Sequence, residues 1–156
     1  KLFFWALFIQ VFILNNIQLS GYINPYYYII FILYFPTKSS KKSILLLSFL
    51  LGFTMDVFCY SYGTHAFASV LIAYLKILWT NNLNSSKESE ELFELKNLSM
   101  NQFMSVSIYF ILAHHFTLFF LESFSFNELL MVLKTTLASS VFTFILIIIH
   151  KALTNK

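Results

Sequence analysis

The sequence predicts an all-α integral membrane bundle of six transmembrane helices, and three observations lead there. Apolar residues make up 58% of the 156-residue chain and aromatics 20%, while charged residues reach only 11%, less than half the share of about 25% in an average soluble domain. The apolar residues fall in runs comparable with the roughly 20 helical residues that cross about 30 Å of hydrocarbon. The lysines gather between those runs, on one side of the membrane. This composition excludes a soluble globular enzyme, which could not hide twenty Phe and still cover itself with polar groups. It excludes a disordered tail as well. Nucleic-acid binding is also excluded: ten lysines against seven acids leave a net charge of +3 with no basic patch for a phosphate backbone.

The elements follow in chain order. Lys1, with no Met before it, leads into an apolar run and reads as the start of a first span with upstream residues missing. That run covers residues 2–19 and is interrupted by Gln10 and by Asn15 and Asn16. Gly21 to Pro25 carries a turn signal, with Pro suited to a helix start. A second span, 22–37, closes at Pro36, and Thr37 to Lys42 forms a loop. Ser43 to Trp79 is too long for one span and breaks at Tyr60-Ser61-Tyr62-Gly63 into a helical hairpin, 43–59 and 63–79. Residues 80–101 form a polar loop. The fifth span covers 102–121 and the sixth 128–150. All six belong to one transmembrane domain over 1–156.

Charge placement gives the orientation. With the N-terminus in the cytoplasm, the inner segments hold Lys1, Lys38, Lys41, Lys42, Lys76, Lys87, Lys96, Lys151 and Lys156. The outer turns hold Asp56, Glu122 and Glu128, and only Lys134 breaks the pattern. Both chain ends are therefore expected on the cytoplasmic side of a plasma membrane.

Small residues at four-residue spacing mark the faces where helix backbones can approach, since no hydrophobic effect drives association in lipid. They are Ser48, Gly52 and Asp56 on the third span, His65, Ser69 and Ala73 on the fourth, and Thr135, Ser139 and Thr143 on the sixth. Two readings of Asp56 stay open: a functional pair with His65 across the hairpin turn, or a cap on the backbone N–H groups of the next helix. The adjacent His114 and His115 point about 100° apart and cannot easily share a metal. One ring is expected in an interhelical hydrogen bond and the other at a helix contact or near the headgroups, with a metal or proton relay as the sharper alternative. His150 reads as interfacial. No nucleophile constellation, P-loop or zinc motif is present, so no cofactor, metal or catalytic residue is assigned. Within residues 85–96, Ser85 and Glu88 make a capping-box pattern, which fits a surface helix, a docking segment or a solvated linker equally.

The hairpin also carries a resemblance. Gly52-Phe53-Thr54-Met55-Asp56-Val57-Phe58, then Tyr62-Gly63-Thr64-His65-Ala66, then Ala73-Tyr74-Leu75 resembles the signature of the rod shape-determining protein MreD family. Asn24-Pro25 before the second span and His114 to Phe126, including His115 and Glu122, are similar to the matching regions of that family. Together these stretches cover most of the chain from Gly21 onward. The resemblance implies a non-enzymatic inner-membrane subunit of the cell-elongation machinery. Such a subunit works beside MreC, the MreB filament, RodA and a class B penicillin-binding protein in peptidoglycan synthesis. It also implies the six-helix fold of the substrate-binding S components of energy-coupling-factor importers. That likeness supplies the rival reading, a small-ligand-binding importer subunit with a pocket formed by Asp56, Tyr60, Tyr62, His65 and Glu122.

Overall fold

The computed structural model describes residues 1–17, 23–83 and 94–154. Among the described residues the chain is all-helical. The helices are α1 (Leu2–Phe12), α2 (Ile29–Tyr34), α3 (Lys41–Cys59), α4 (Thr64–Leu83), α5 (Met100–Ser123) and α6 (Leu129–Thr154). Short 3-10 turns cover Leu14–Asn16, Leu95–Asn97 and Phe126–Glu128. Three stretches are long and apolar enough to cross a membrane: Lys41–Cys59, Met100–Ser123 and Phe126–Thr154. α4 matches them in length but carries His65, Tyr74, Lys76 and Asn81. The segment with the capping-box pattern of Ser85 and Glu88 lies outside the described residues. A complete capping box starts α5 instead, with Ser99 and Gln102 each receiving the other's backbone N–H.

α3 packs against α4, α4 against α5 and α5 against α6, while α1 leans on α2 and α3. The stripes expected inside are Ser48, Gly52 and Asp56, then His65, Ser69 and Ala73, all of them buried. On α6 Ser139 and Thr143 are buried and Thr135 is half-buried. The opposite side of α6 exposes Leu130, Leu133, Leu137, Val141, Ile145 and Ile149, the apolar face that hydrocarbon would solvate.

The second span differs from expectation. Only Ile29–Tyr34 is helical in the stretch expected at 22–37, and every residue from Pro25 to Leu33 is buried. Pro36 explains the helix end: the residue before a proline is driven out of the α region, and Phe35 has ψ 130°. The described part of this segment enters as irregular chain. Irregular backbone is tolerated at membrane depth only where protein surrounds it and supplies its hydrogen bonds, and here three other helices do so. Gln10 of α1, 1% exposed, donates from Nε2 to the Pro25 carbonyl at 2.9 Å and accepts the Tyr28 N–H on Oε1 at 3.3 Å. Ser139 Oγ accepts the Asn24 N–H at 3.2 Å, and Thr143 Oγ1 accepts the Tyr26 N–H at 2.9 Å. At the far end Lys76 Nζ of α4 donates to the carbonyls of Ile32, Leu33 and Phe35 at 2.9, 2.9 and 2.5 Å.

Two lysines counted among the inner segments therefore have a different role. Lys76 is 2% exposed in the body of α4, and Lys151 is 1% exposed. Lys151 donates to the Lys96 carbonyl and lies 5.3 Å from the centre of the Phe103 ring. Both stand where a long apolar stem can be buried while its ammonium satisfies backbone oxygens.

The hairpin between α3 and α4 reverses in four residues. Tyr60, Tyr62 and Gly63 all have positive φ, at 55°, 53° and 95°. The Tyr60 N–H closes α3 onto the Asp56 carbonyl. Gly63 has open space around it, so a side chain there would be disfavoured by conformation alone. Gly63→Val is expected to lower stability by about 1–2 kcal/mol, measured as thermal unfolding of the reconstituted protein.

Candidate functional site

Among the described residues, several buried polar side chains converge at two linked places. The first is the hairpin knuckle. Asp56, one turn before the end of α3, faces the first turn of α4 because Gly52 lets the two backbones nearly touch. A Cβ on Gly52 would lie 2.4 Å from the His65 carbonyl oxygen and 2.5 Å from the Ala66 Cα. Gly52→Ala must therefore push α4 away, and we expect about 2 kcal/mol of destabilisation, again read from thermal unfolding.

Asp56 Oδ1 accepts the His65 N–H at 2.9 Å and the Ser61 hydroxyl at 2.6 Å, while Oδ2 accepts the Ala66 N–H at 2.9 Å. His65 Nδ1 lies 3.2 Å from Asp56 Oδ1 and 2.7 Å from Ser61 Oγ. Both readings of Asp56 thus describe the same geometry: the carboxylate caps the free N–H groups that open α4, and it also orients the imidazole. An ionised carboxylate only accepts, and the Ser61 hydroxyl is already donating to it. The Nδ1 position therefore carries a proton, and in the neutral tautomer this leaves Nε2 as a lone pair. That Nε2 is buried with no hydrogen-bond partner.

The second place is the bundle centre. Tyr26 lies with its ring centre 5.4 Å from His65, 6.1 Å from His114 and 5.4 Å from His115. His114 and His115 are both fully buried, so neither reaches the headgroups. Being about 100° apart on α5, they bond in different directions. His114 Nε2 pairs with the Tyr28 hydroxyl at 2.7 Å. His115 Nδ1 lies 2.8 Å from the Ile111 carbonyl and Nε2 lies 3.0 Å from Thr143 Oγ1. A carbonyl only accepts, so His115 Nδ1 carries the proton and Nε2 accepts the Thr143 hydroxyl. Thr143 in turn accepts the Tyr26 N–H. The chain of donors runs one way, from Tyr26 through Thr143 and His115 to Ile111. Among the described residues no group of three or more His, Cys, Asp and Glu is arranged to hold a metal. His150 is half-buried and pairs through Nδ1 with the Tyr27 hydroxyl at 2.6 Å.

A polar cavity of about 300 Å³ opens beside the knuckle, with Asn15, Asn24, Tyr26, Cys59, His65 and Glu122 among its lining residues. Glu122 is itself exposed. Tyr60 and Tyr62, expected in such a pocket, are instead 84% and 101% exposed and stand outside it. A larger hollow of about 620 Å³ between α1 and α3 is almost wholly apolar, lined by Phe4, Trp5, Phe8, Phe12 and Phe58 among others. It brings no chemistry-bearing groups together.

Sequence reasoning passed over Gln10, Tyr26, Tyr28, Ser61 and Lys76. For Gln10 and Lys76 a signal was present: each is a lone polar side chain within an apolar run, where an unpartnered polar group is costly and a partnered one is structural. The two tyrosines carry no such signal, because a Tyr within a span reads equally as an interfacial aromatic. No family model, curated protein or solved structure matches the chain.

Proposed function

We propose that this chain is a non-catalytic plasma-membrane subunit of the bacterial cell-elongation complex, of the MreD type. On this reading the bundle holds MreC beside it and couples MreB filaments to RodA and a class B penicillin-binding protein. The chain crosses the membrane six times with both ends in the cytoplasm, and its second crossing is the buried segment around α2. One observation carries the reading. Four residues of the hairpin part of the resemblance act together: Gly52 admits the backbone of His65 and Ala66, Asp56 caps them, and Gly63 turns the chain between them. A hairpin whose Gly52, Asp56, Gly63 and His65 lock two helices together suits a rigid scaffold. Depletion in a rod-shaped host is expected to give rounded cells, and the tagged protein is expected to co-purify with MreC. Rod shape retained after complete depletion would overturn the proposal.

The rival reading, a small-ligand-binding importer subunit, draws support from the polar cavity beside His65 and Glu122. A vitamin-like molecule retained through purification would favour it over the scaffold.

A further inference from the structure

The cavity beside the knuckle has a chemical polarity of its own. Two of its lining residues, His65 and Asn24, each hold a buried polar atom without a hydrogen-bond partner, Nε2 and Oδ1 respectively. A buried polar atom left unpaired costs free energy comparable to a lost hydrogen bond, and it calls for a partner. In the neutral His65 tautomer both atoms are acceptors: the ring places its proton on Nδ1, toward Asp56 and Ser61, and Asn24 presents its amide oxygen. Glu122 adds a carboxylate, also an acceptor. The neighbouring Asn15 amide is already committed, accepting from Gln10 Nε2 at 2.9 Å and donating to Cys59 Sγ at 3.4 Å. An anion would find this set of groups repulsive.

We propose that this cavity binds a primary ammonium group, carried either by a small free amine or by a lipid headgroup. An ammonium offers three N–H donors and no acceptor, which matches Asn24 Oδ1, His65 Nε2 and the Glu122 carboxylate. The rings of Tyr26 and Phe58, which also line the cavity, supply the aromatic surface that favours a cation. At about 30 Å³ for each water-sized group, a volume of about 300 Å³ limits the guest to about ten non-hydrogen atoms. The site stands independently of the scaffold reading, since a scaffold with or without a bound amine presents the same outer faces.

The test is thermal unfolding of the full chain in phosphatidylglycerol nanodiscs, titrated at constant ionic strength with ethanolamine hydrochloride, ethylene glycol or sodium glycolate. A second arm replaces part of the lipid by phosphatidylethanolamine. A saturable rise in melting temperature with soluble ethanolamine assigns a free amine, and a rise seen only with phosphatidylethanolamine assigns the headgroup. Ethylene glycol and glycolate are expected to produce no shift. Glu122→Gln should weaken the response about tenfold, with Asn24→Leu acting the same way. Glu122 is exposed, so its variant should melt like the wild type without ligand. The proposal fails if neither amine source shifts the melting temperature. It fails equally if glycolate shifts it as strongly, or if both variants respond like the wild type.

Discussion

Replacing Asp56 by Ala is expected to destabilise the protein by about 3–4 kcal/mol, combining a lost helix cap with buried donors left unpaired. The carboxylate accepts from Ser61, from the His65 ring, and from the backbone N–H groups of His65 and Ala66. An alanine leaves both N–H groups without their carboxylate acceptor at residues that are buried. Asp56→Asn keeps one acceptor oxygen and should lose about half as much. Unfolding in a graded detergent series, with both variants beside the wild type, reads the difference. Equal stability of Asp56→Ala and the wild type would show that the hairpin is held by packing alone.

The second large effect belongs to Lys76. Its ammonium donates to all three carbonyls of Ile32, Leu33 and Phe35, at the helix end that Pro36 keeps from continuing; Ile32 also accepts the Phe35 N–H. Lys76→Met keeps the apolar stem and removes the three donors. The expected cost is about 3 kcal/mol, the sum of several unsatisfied buried oxygens less the relief of no longer burying a charge. Lys76→Arg should rescue little, because a planar fork cannot converge on three carbonyls as a rotating ammonium does. The same unfolding series tests both variants, and the methionine variant should also make Phe35 more accessible to proteolysis. A methionine variant as stable as the wild type would mean that these carbonyls find other donors.

Much of this architecture was legible from hydropathy and turns. The two arms of the hairpin, α5 and α6 lie within a few residues of the expected spans, since long apolar runs bounded by polar loops have few alternatives. The knuckle was legible as well. Gly52, Asp56, Gly63 and His65 stand at spacings that only a tight helical hairpin brings together. The segment around α2 was not legible. Its sequence, from Pro25 to Phe35, is apolar enough for a helix, and its irregular course depends on side chains far along the chain. Gln10, Lys76, Ser139 and Thr143 satisfy its backbone, and no local pattern links them to it. Likewise Lys76 reads locally as a cytoplasmic charge. Only the packing of α4 against α2 turns it into a cap. The polar cavity was expected near His65 and Glu122, but its lining includes Asn15 and Asn24, which the sequence shows only as interruptions and a turn.

Cysteine accessibility in a Cys59→Ser background tests the central claim, that the turns before and after α3 lie on opposite sides of the membrane while the segment around α2 stays buried within the bundle. Single substitutions Tyr62→Cys, Ser39→Cys and Ile30→Cys would be treated with a membrane-impermeant maleimide in intact spheroplasts and again after permeabilisation. We predict that the cysteine at position 62 labels in intact spheroplasts, that at 39 only after permeabilisation, and that at 30 in neither case. Labelling at 39 and 62 from the same side would contradict the account.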